Sequence, residues 1–357
     1  MASNPPTPPN PQALSIQQTA EAHADEILAR RQASRASRAA ALAQHRQTLQ
    51  LRTEVTRVVH AAATPAQPAG AAAPSGATPP AAAPVPAAAA AVATTTETAG
   101  YLVAVGDSWF DYPIHDVLTK LDDNYGYTIE SSAHRGDPIE VMVSHVGQLD
   151  KFARNLDKVV GVGATPKAIL VSGGGDDIAG DEFGMLINDK DSPIAGWNEQ
   201  IVAGVIDTRI AGSYRLMVAS INALCQKDLG RTFPILIHGY DYAVPDGRGF
   251  LGGWGPLPGP WLKPGFDEKL FVDPTQTRTM VVWLIDRFNT MLQNLLSEPG
   301  FANVRYVNLR GTLSNADADY KTWWANELHP TGDTLFGSRD GFAAVAAKFQ
   351  AVLATLP

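Results

Sequence analysis

The stretch that decides the fold is Tyr101–Asp111, with the sequence YLVAVGDSWFD. Its first five residues are apolar, as in a short buried strand, and Gly106 ends the apolar run. Three polar side chains, Asp107, Ser108 and Asp111, come directly after the run. The stretch therefore predicts a buried strand that delivers polar groups to its carboxyl end.

Four further short apolar runs alternate with helix-like segments along the rest of the chain. They predict strands at Tyr127–Ser131, Ala168–Val171, Phe233–Ile237 and Val304–Asn308. Strands that alternate with helices are typical of a parallel sheet covered by helices on both faces. We therefore expect residues 100–357 to form an α/β domain, a three-layer α/β/α sandwich with a mainly parallel sheet of about five strands.

The first 99 residues differ in composition, because they contain no Trp, Tyr or Phe. The sequence predicts a disordered Pro-rich stretch (1–13), a helical basic segment (14–62) and an Ala/Pro-rich linker (63–99). Without large side chains such a segment buries too little apolar surface to offset its ordering entropy, so we expect the core after residue 100. The arginines of the basic segment predict a solvated helix face or an arm that binds an unidentified anionic partner.

Charge, cysteine content and hydropathy exclude several classes of protein. The formal net charge is -8, which disfavours nucleic-acid binding, and the single cysteine, Cys225, cannot form an internal disulfide. The amino terminus lacks the pattern of a signal peptide, and no stretch reaches the roughly 18 apolar residues of a membrane span. These features predict a cytoplasmic protein without a membrane span.

Polar or Gly-containing segments follow the predicted strands at their carboxyl ends. The segments are Gly106–Asp111, Ala133–Asp137, Gly173–Asp177, His238–Tyr242 and, further along the chain, Asn326–Pro330. Ligands of parallel α/β sheets bind beyond the carboxyl ends of the strands. The segments therefore predict a single site at this edge of the sheet.

Four of these segments, in this order, resemble the sequence blocks of SGNH (GDSL-like) hydrolases. The matching residues are Gly106-Asp107-Ser108, Gly136, Gly174-Gly175-Asp176-Asp177 and His329-Pro330. The resemblance covers about residues 101–356. It implies a serine esterase that hydrolyses esters of lipids, sugars or small acyl compounds through an acyl-enzyme intermediate, with no metal or other cofactor.

The resemblance also implies roles for individual residues. Ser108 corresponds to the nucleophile and His329 to the base that accepts the hydroxyl proton. The backbone N–H groups of Ser108 and Gly136 correspond to two donors of the oxyanion hole, which stabilises the negative oxygen of the transition state. A glycine is expected at position 136 because close approach of the backbone tolerates no Cβ.

Two residues depart from the family pattern. Asp176 stands where the family has an Asn as third oxyanion donor, and a carboxyl group donates only when it is protonated; its backbone N–H is an alternative donor. Asn326 stands where the family has the triad acid, and an amide can orient the imidazole of His329 without neutralising its charge. Glu327 and Asp241 are alternative acids, although Asn326 has the matching position.

Substrate contacts are expected from two sources. Segment 245–275 is rich in Gly, Pro and Trp, and its Trp254 and Trp261 are candidates for packing against a substrate. Asp177 and His238 follow strands and are further candidates, although a structural role is the alternative for His238.

Two other functions remain compatible with the sequence. Asp107, Asp111, Asp176, Asp177 and His238 could bind a divalent metal for phosphoester hydrolysis. The departures from the family pattern would also fit a non-catalytic module that binds sugars or acyl groups. The sequence contains neither a P-loop nor an H-E-x-x-H motif. Ester hydrolysis of a small-molecule substrate is therefore the prediction.

Overall fold

The computed structural model describes residues 11–63, 98–144, 147–252, 257–333 and 338–357. Residues 1–10 of the predicted disordered stretch and residues 64–97 of the predicted linker lie outside the described residues, as does Trp254.

Five of the strands form one sheet. In chain order the strands are β1 (Gly100–Val105), β2 (Tyr127–Ser131), β3 (Pro166–Val171), β4 (Ile187–Asn188), β5 (Gly196–Trp197), β6 (Ile235–His238) and β7 (Val304–Val307). The sheet has the order β2-β1-β3-β6-β7 and every neighbouring pair in it is parallel. The five predicted strands are those of this sheet, while β4 and β5 form a separate antiparallel pair that the sequence analysis did not predict.

Helices lie on both faces of this sheet. In chain order the α-helices of the described residues are α1 (Pro11–Ala63), α2 (Val117–Tyr125), α3 (Ile139–Met142), α4 (Gln148–Gly161), α5 (Glu199–Ala203), α6 (Ala211–Leu229), α7 (Lys263–Glu268), α8 (Pro274–Leu295), α9 (Tyr320–Trp323) and α10 (Gly341–Leu353). Crossovers between parallel strands are right-handed, so α2, which leads towards one edge, lies on the face opposite α4, α6 and α8, which lead towards the other. In agreement, α2 packs against α10, whereas α4 and α8 pack against α6. The three-layer α/β/α prediction is confirmed.

The point where the strand order reverses lies between β1 and β3. The chain passes from β1 to β2 on one side and then returns to β3 on the other side of β1. At such a reversal the loops diverge and leave a crevice beyond the carboxyl ends of the two strands. The loops that contain Ser108 and Gly173–Asp177 begin there.

The amino-terminal helix contributes to the core. The described residues up to Ala29 form one compact unit with residues from Thr98 onward, and Arg30–Glu97 belong to a second unit. Ala24 and Ile27 are fully buried in the main hydrophobic cluster. The Lys227 ammonium on α6 lies 2.5 Å from the Asp25 carboxylate. The expectation that the core is built only after residue 100 is therefore too narrow, because a small Ala lets α1 approach closely and one Ile fills the contact.

Three sequence-based predictions concern membrane spans, the location of the protein and its partners. Among the described residues, no helix is both long enough and apolar enough to cross a membrane. A cytoplasmic location and an anionic partner for the arginines of α1 stay predictions.

We predict that Ile27→Ala lowers the free energy of unfolding by about 2–5 kcal/mol, because it leaves a cavity in a packed cluster. Leu42→Ala on the same helix is the matched control, since the Leu42 side chain is 50% exposed. Its effect should stay within about 0.5 kcal/mol. Denaturant unfolding of the full chain measures both values, and equal effects would show that α1 is not held by Ile27.

Candidate active site

Ser108 and His329 meet at the carboxyl end of β1. Ser108 lies in the loop after this strand, and His329 lies in the loop between α9 and α10. The two side chains form a hydrogen bond, with 2.8 Å between Nε2 of His329 and Oγ of Ser108. Burial lowers the pKa of His329 to about 3. The imidazole is therefore neutral near pH 7 and can act as a hydrogen-bond acceptor or proton acceptor.

Asn326 determines which nitrogen of His329 accepts. Its Oδ1 accepts hydrogen bonds from the backbone N–H groups of Leu328 (2.9 Å) and His329 (2.8 Å), which defines the orientation of the amide. The same oxygen lies 3.1 Å from Nδ1 of His329. An amide oxygen cannot donate, so the proton of the neutral imidazole is on Nδ1 and the lone pair is on Nε2, facing Ser108.

Two aromatic side chains pack against the imidazole of His329. The Tyr112 ring stacks on His329 with 4.3 Å between ring centroids, and its hydroxyl accepts a 2.9 Å hydrogen bond from the Asn326 amide nitrogen. Trp261 presents its ring at 71° to the imidazole, with the centroids 5.7 Å apart. Trp261 was a sequence candidate, whereas Tyr112 was missed; its only signal was its position four residues after Ser108.

The two alternative triad acids bind backbone N–H groups of other loops. Glu327 is fully buried, and its carboxylate accepts from the N–H groups of Trp261 and Leu262, both at 2.7 Å. It also accepts from Gly247 (2.8 Å) and Lys263 (3.2 Å), so this one side chain binds the Gly/Pro-rich segment at Gly247 and again at residues 261–263.

Asp241 has the corresponding role after β6. Its carboxylate accepts from the backbone N–H groups of Tyr242 (2.8 Å), Gly311 (2.7 Å) and Leu313 (2.6 Å). Nδ1 of His329 donates its hydrogen bond instead to the amide oxygen of Asn326. The position of Asn326 in the sequence was thus the better guide to the partner of the imidazole.

Asp107 anchors the nucleophile loop from inside. Its Oδ1 accepts from the Ser172 hydroxyl (2.5 Å) and from the Trp109 N–H (3.0 Å). Its Oδ2 accepts from the Tyr240 hydroxyl, which in turn accepts from the Gly175 N–H at 3.0 Å. Ser172 and Tyr240 carry no local sequence signal for this contact, because they are distant in the chain and meet Asp107 only in the fold.

The candidate oxyanion residues Gly136 and Asp176 lie together. Burial, followed by the negative charges of Asp107 and Asp177, raises the pKa of Asp176 to about 8. The Gly136 N–H forms a hydrogen bond to this carboxyl group, which acts in the opposite direction. Asp176 is therefore mainly protonated near pH 7, and its buried Oδ2 finds no hydrogen-bond partner among the described residues.

The reason for a glycine at position 136 differs from the expected one. A Cβ built there would have no atom within 4 Å, so close packing does not require glycine in this structure. The backbone instead has φ +82°, a left-handed conformation that side chains other than glycine adopt at a cost.

Asp177 and His238, two candidate substrate contacts, are engaged inside the protein. Asp177 accepts a 2.8 Å hydrogen bond from the Ile139 N–H at the start of α3 and lies 3.7 Å from the Arg209 guanidinium. His238 is fully buried, and its Nδ1 donates to the Gly239 carbonyl at 2.7 Å. Both side chains therefore bind other parts of the protein.

The residues considered for a metal site have separate partners. Asp111, for example, accepts from the Arg135 N–H at 3.1 Å, away from the Asp107 contacts described above. Within the described part of the chain, no group of three or more His, Cys, Asp or Glu side chains is arranged to hold a metal ion.

Comparisons with known proteins give weak similarities only. No protein-family model and no curated protein matches the chain. An alpha/beta hydrolase enzyme from the metagenome of Lake Arreo, Spain, is 12% identical with a TM-score of 0.37, over 73% of this chain and 97% of that one. A variant of an acetyl xylan esterase from Geobacillus stearothermophilus is 12% identical with a TM-score of 0.35, over the same shares.

A third similar structure is the amino-terminal part of a Bacteroides fragilis protein containing a phosphatase domain complexed with Mg. It is 12% identical with a TM-score of 0.37, and the match covers 71% of this chain and 51% of that one. With TM-scores this low, the similarities carry no argument about activity.

We predict that Asn326→Asp raises the pKa of His329 by about 1–3 units, because a carboxylate beside Nδ1 stabilises the imidazolium. NMR titration of the His329 ring measures the shift. Asn308→Asp is the control, since it adds the same charge at an exposed position whose Oδ1 binds Arg310. An unchanged pKa in Asn326→Asp would show that residue 326 does not face the imidazole.

Proposed function

We propose that this protein hydrolyses carboxylic esters through Ser108 and His329, with an acyl-enzyme intermediate on Ser108. The observation that carries the proposal is the 2.8 Å hydrogen bond between Nε2 of His329 and Oγ of Ser108. The Asn326 contact at Nδ1 supports it, because it leaves the lone pair of Nε2 directed at the hydroxyl.

The proposed reaction has two steps, acylation of Ser108 and hydrolysis of the acyl-enzyme. Nε2 of His329 takes the hydroxyl proton as Oγ of Ser108 attacks the ester carbonyl carbon. The resulting imidazolium returns the proton to the departing alcohol oxygen when the C–O bond breaks, which leaves the acyl group on Ser108. A water molecule then repeats the sequence, giving its proton to Nε2 and releasing the carboxylic acid and free Ser108.

The imidazolium forms here without a neighbouring triad carboxylate. Replacing Asp by Asn in a Ser-His-Asp triad costs about 10⁴ in kcat, chiefly because the imidazole then adopts the wrong tautomer. In this structure the orientation of the Asn326 amide supports the productive tautomer. The Tyr112 ring, stacked 4.3 Å from the imidazole, adds the attraction of an aromatic face for a cation.

Stabilisation of the oxyanion is assigned to the loops after β1 and β3. By this proposal the backbone N–H of Ser108 and the protonated carboxyl of Asp176 provide two donors. The Gly136 N–H, the other donor expected from the sequence, binds the Asp176 carboxyl in this structure and holds it in place. A pKa of about 8 for Asp176 supports this assignment, because a neutral carboxyl group can donate its hydrogen whereas a carboxylate would repel the oxyanion.

Ser108→Ala should lower hydrolysis of p-nitrophenyl acetate by at least about 10³-fold, because the nucleophile is removed. A fluorophosphonate should label wild type at Ser108 and leave the variant unlabelled, as read by mass spectrometry. Ser131→Ala, which changes an exposed serine at the end of β2, is the control and should behave as wild type. Equal turnover by Ser108→Ala would refute the proposed nucleophile, and loss of wild-type activity on adding EDTA would favour the metal-dependent alternative.

The pKa of Asp176 predicts an alkaline limit to activity. Because this pKa is raised to about 8, the carboxyl group is neutral below that pH and loses its proton above it. We expect kcat/KM of wild type to fall as the pH rises through about 8, and Asp176→Asn to remain active there because its amide donates at every pH.

Asp177→Asn is the matched control for this prediction. It makes the same chemical change at the next residue, and its amide oxygen can still accept from the Ile139 N–H. The alkaline limit should persist in this variant but lie at a lower pH, because the charge of Asp177 contributes to the raised pKa of Asp176. If Asp176→Asn kept the limit, or was inactive while folded at every pH, the donor role of Asp176 would be wrong.

A further inference from the structure

An apolar cavity of about 70 Å³ lies directly beside the proposed nucleophile. Ser108 and Asp176 are among the residues that line it. Most of the remaining wall is apolar and comes from one face of α8 and from two loops. The main contributors are Val281, Leu284, Phe288, Leu262 and Leu328.

The polar groups in the wall are largely committed to other partners. The Asp107 carboxylate is bound by Ser172, Trp109 N–H and Tyr240. The Tyr240 hydroxyl donates to this carboxylate and accepts from the Gly175 N–H.

Asp241, the other buried carboxylate in the wall, is held by three backbone N–H groups. The polar atoms left for a ligand are then those of Ser108 and Asp176, at the reacting end. A sugar ring placed here would leave its hydroxyl groups without partners, which costs free energy, whereas an apolar group would not.

We propose that this cavity is an acyl subsite and that it selects esters of short aliphatic acids, with butyryl as the best fit. The proposal rests on the function proposed above. A cavity of about 150 Å³ accommodates benzene, with its six carbons, so at the same volume per carbon 70 Å³ accommodates roughly three. With the carbonyl carbon at Ser108, the acyl group has about four carbons in total.

Backbone hydrogen bonds hold two apolar residues of the cavity wall in place. Leu262 donates its backbone N–H to Glu327 at 2.7 Å, and Leu328 follows Glu327 directly and donates to Asn326 at 2.9 Å. Both apolar residues are thus fixed by hydrogen bonds to buried side chains next to His329. A wall held in this way resists expansion, so longer chains should be excluded rather than accommodated.

The first test is the chain-length profile of kcat/KM for p-nitrophenyl acetate, butyrate, octanoate and dodecanoate with the full chain. Each buried methylene should raise kcat/KM about fourfold, so butyrate should exceed acetate by roughly 16-fold. Octanoate and dodecanoate should fall below butyrate. A profile that is flat, or that declines from acetate onward, would overturn the acyl subsite.

Variants of the wall test the location of the subsite. Ala243 lines the cavity, and Ala243→Leu should fill it and lower the butyrate-to-acetate ratio. Leu284→Ala should enlarge it and move the preferred chain length upward. Ala344→Leu on α10, which is not a lining residue, is the control and should leave the ratio unchanged. A wild-type ratio in both wall variants would place the acyl group elsewhere; if one variant does not fold, the other decides.

A binding measurement separates failure of the subsite from failure of the proposed reaction. In Ser108→Ala, p-nitrophenyl butyrate should raise the thermal midpoint more than the acetate at equal concentration, since binding to the folded state stabilises it. This outcome together with an inert wild type would reject the reaction and keep the subsite. Equal wild-type turnover of both esters with equal thermal shifts would reject the subsite and keep the reaction.

Discussion

The buried carboxylate of Asp107 joins the carboxyl ends of the three central strands, and the geometry of the site depends on it. It follows β1, it binds Ser172 directly after β3, and it binds Tyr240 just after β6. A buried carboxylate is stable only when its oxygens are hydrogen-bonded, so these loops must converge on it. Ser108, the next residue, is presented at the point of convergence, and the charge of Asp107 contributes to the raised pKa of Asp176.

Four successive residues of the loop between α9 and α10 face four different neighbours. Asn326 orients the imidazole, Glu327 anchors the Gly/Pro-rich segment, Leu328 lines the cavity, and His329 reaches Ser108. Irregular backbone makes this possible, because a helix or strand would repeat its directions with a fixed period. The proton acceptor and the wall of the proposed acyl subsite are therefore positioned by one short loop, so movement of the loop would disturb both.

The sheet was predictable because buried parallel strands are nearly continuous apolar runs, as in the fully buried Leu102–Val105. Helix α4 was not predicted, although Leu149, Phe152, Leu156 and Val159 lie at helical spacing along it and are buried. Within the site, the order of the sequence blocks that resemble SGNH hydrolases indicated Ser108 and His329. No local sequence pattern could indicate the contact of Tyr240 with Asp107, because these residues are 133 positions apart. The choice among Asn326, Glu327 and Asp241 likewise depended on side-chain directions that irregular loops do not encode in their spacing.

Asn326 and Asp176, which depart from the SGNH sequence pattern, have opposite effects on the charges that form during the proposed reaction. An amide at position 326 leaves the imidazole in a neutral, buried setting, where its pKa is about 3, so forming the imidazolium is costly. A carboxyl group at position 176 with a pKa of about 8 is a stronger acid than an amide, and a hydrogen bond to a developing oxyanion strengthens with the acidity of its donor. The proposed reaction would thus lose stabilisation on the cationic side and gain it on the anionic side. Carboxylates at both positions would instead add two negative charges to a buried site that already holds Asp107.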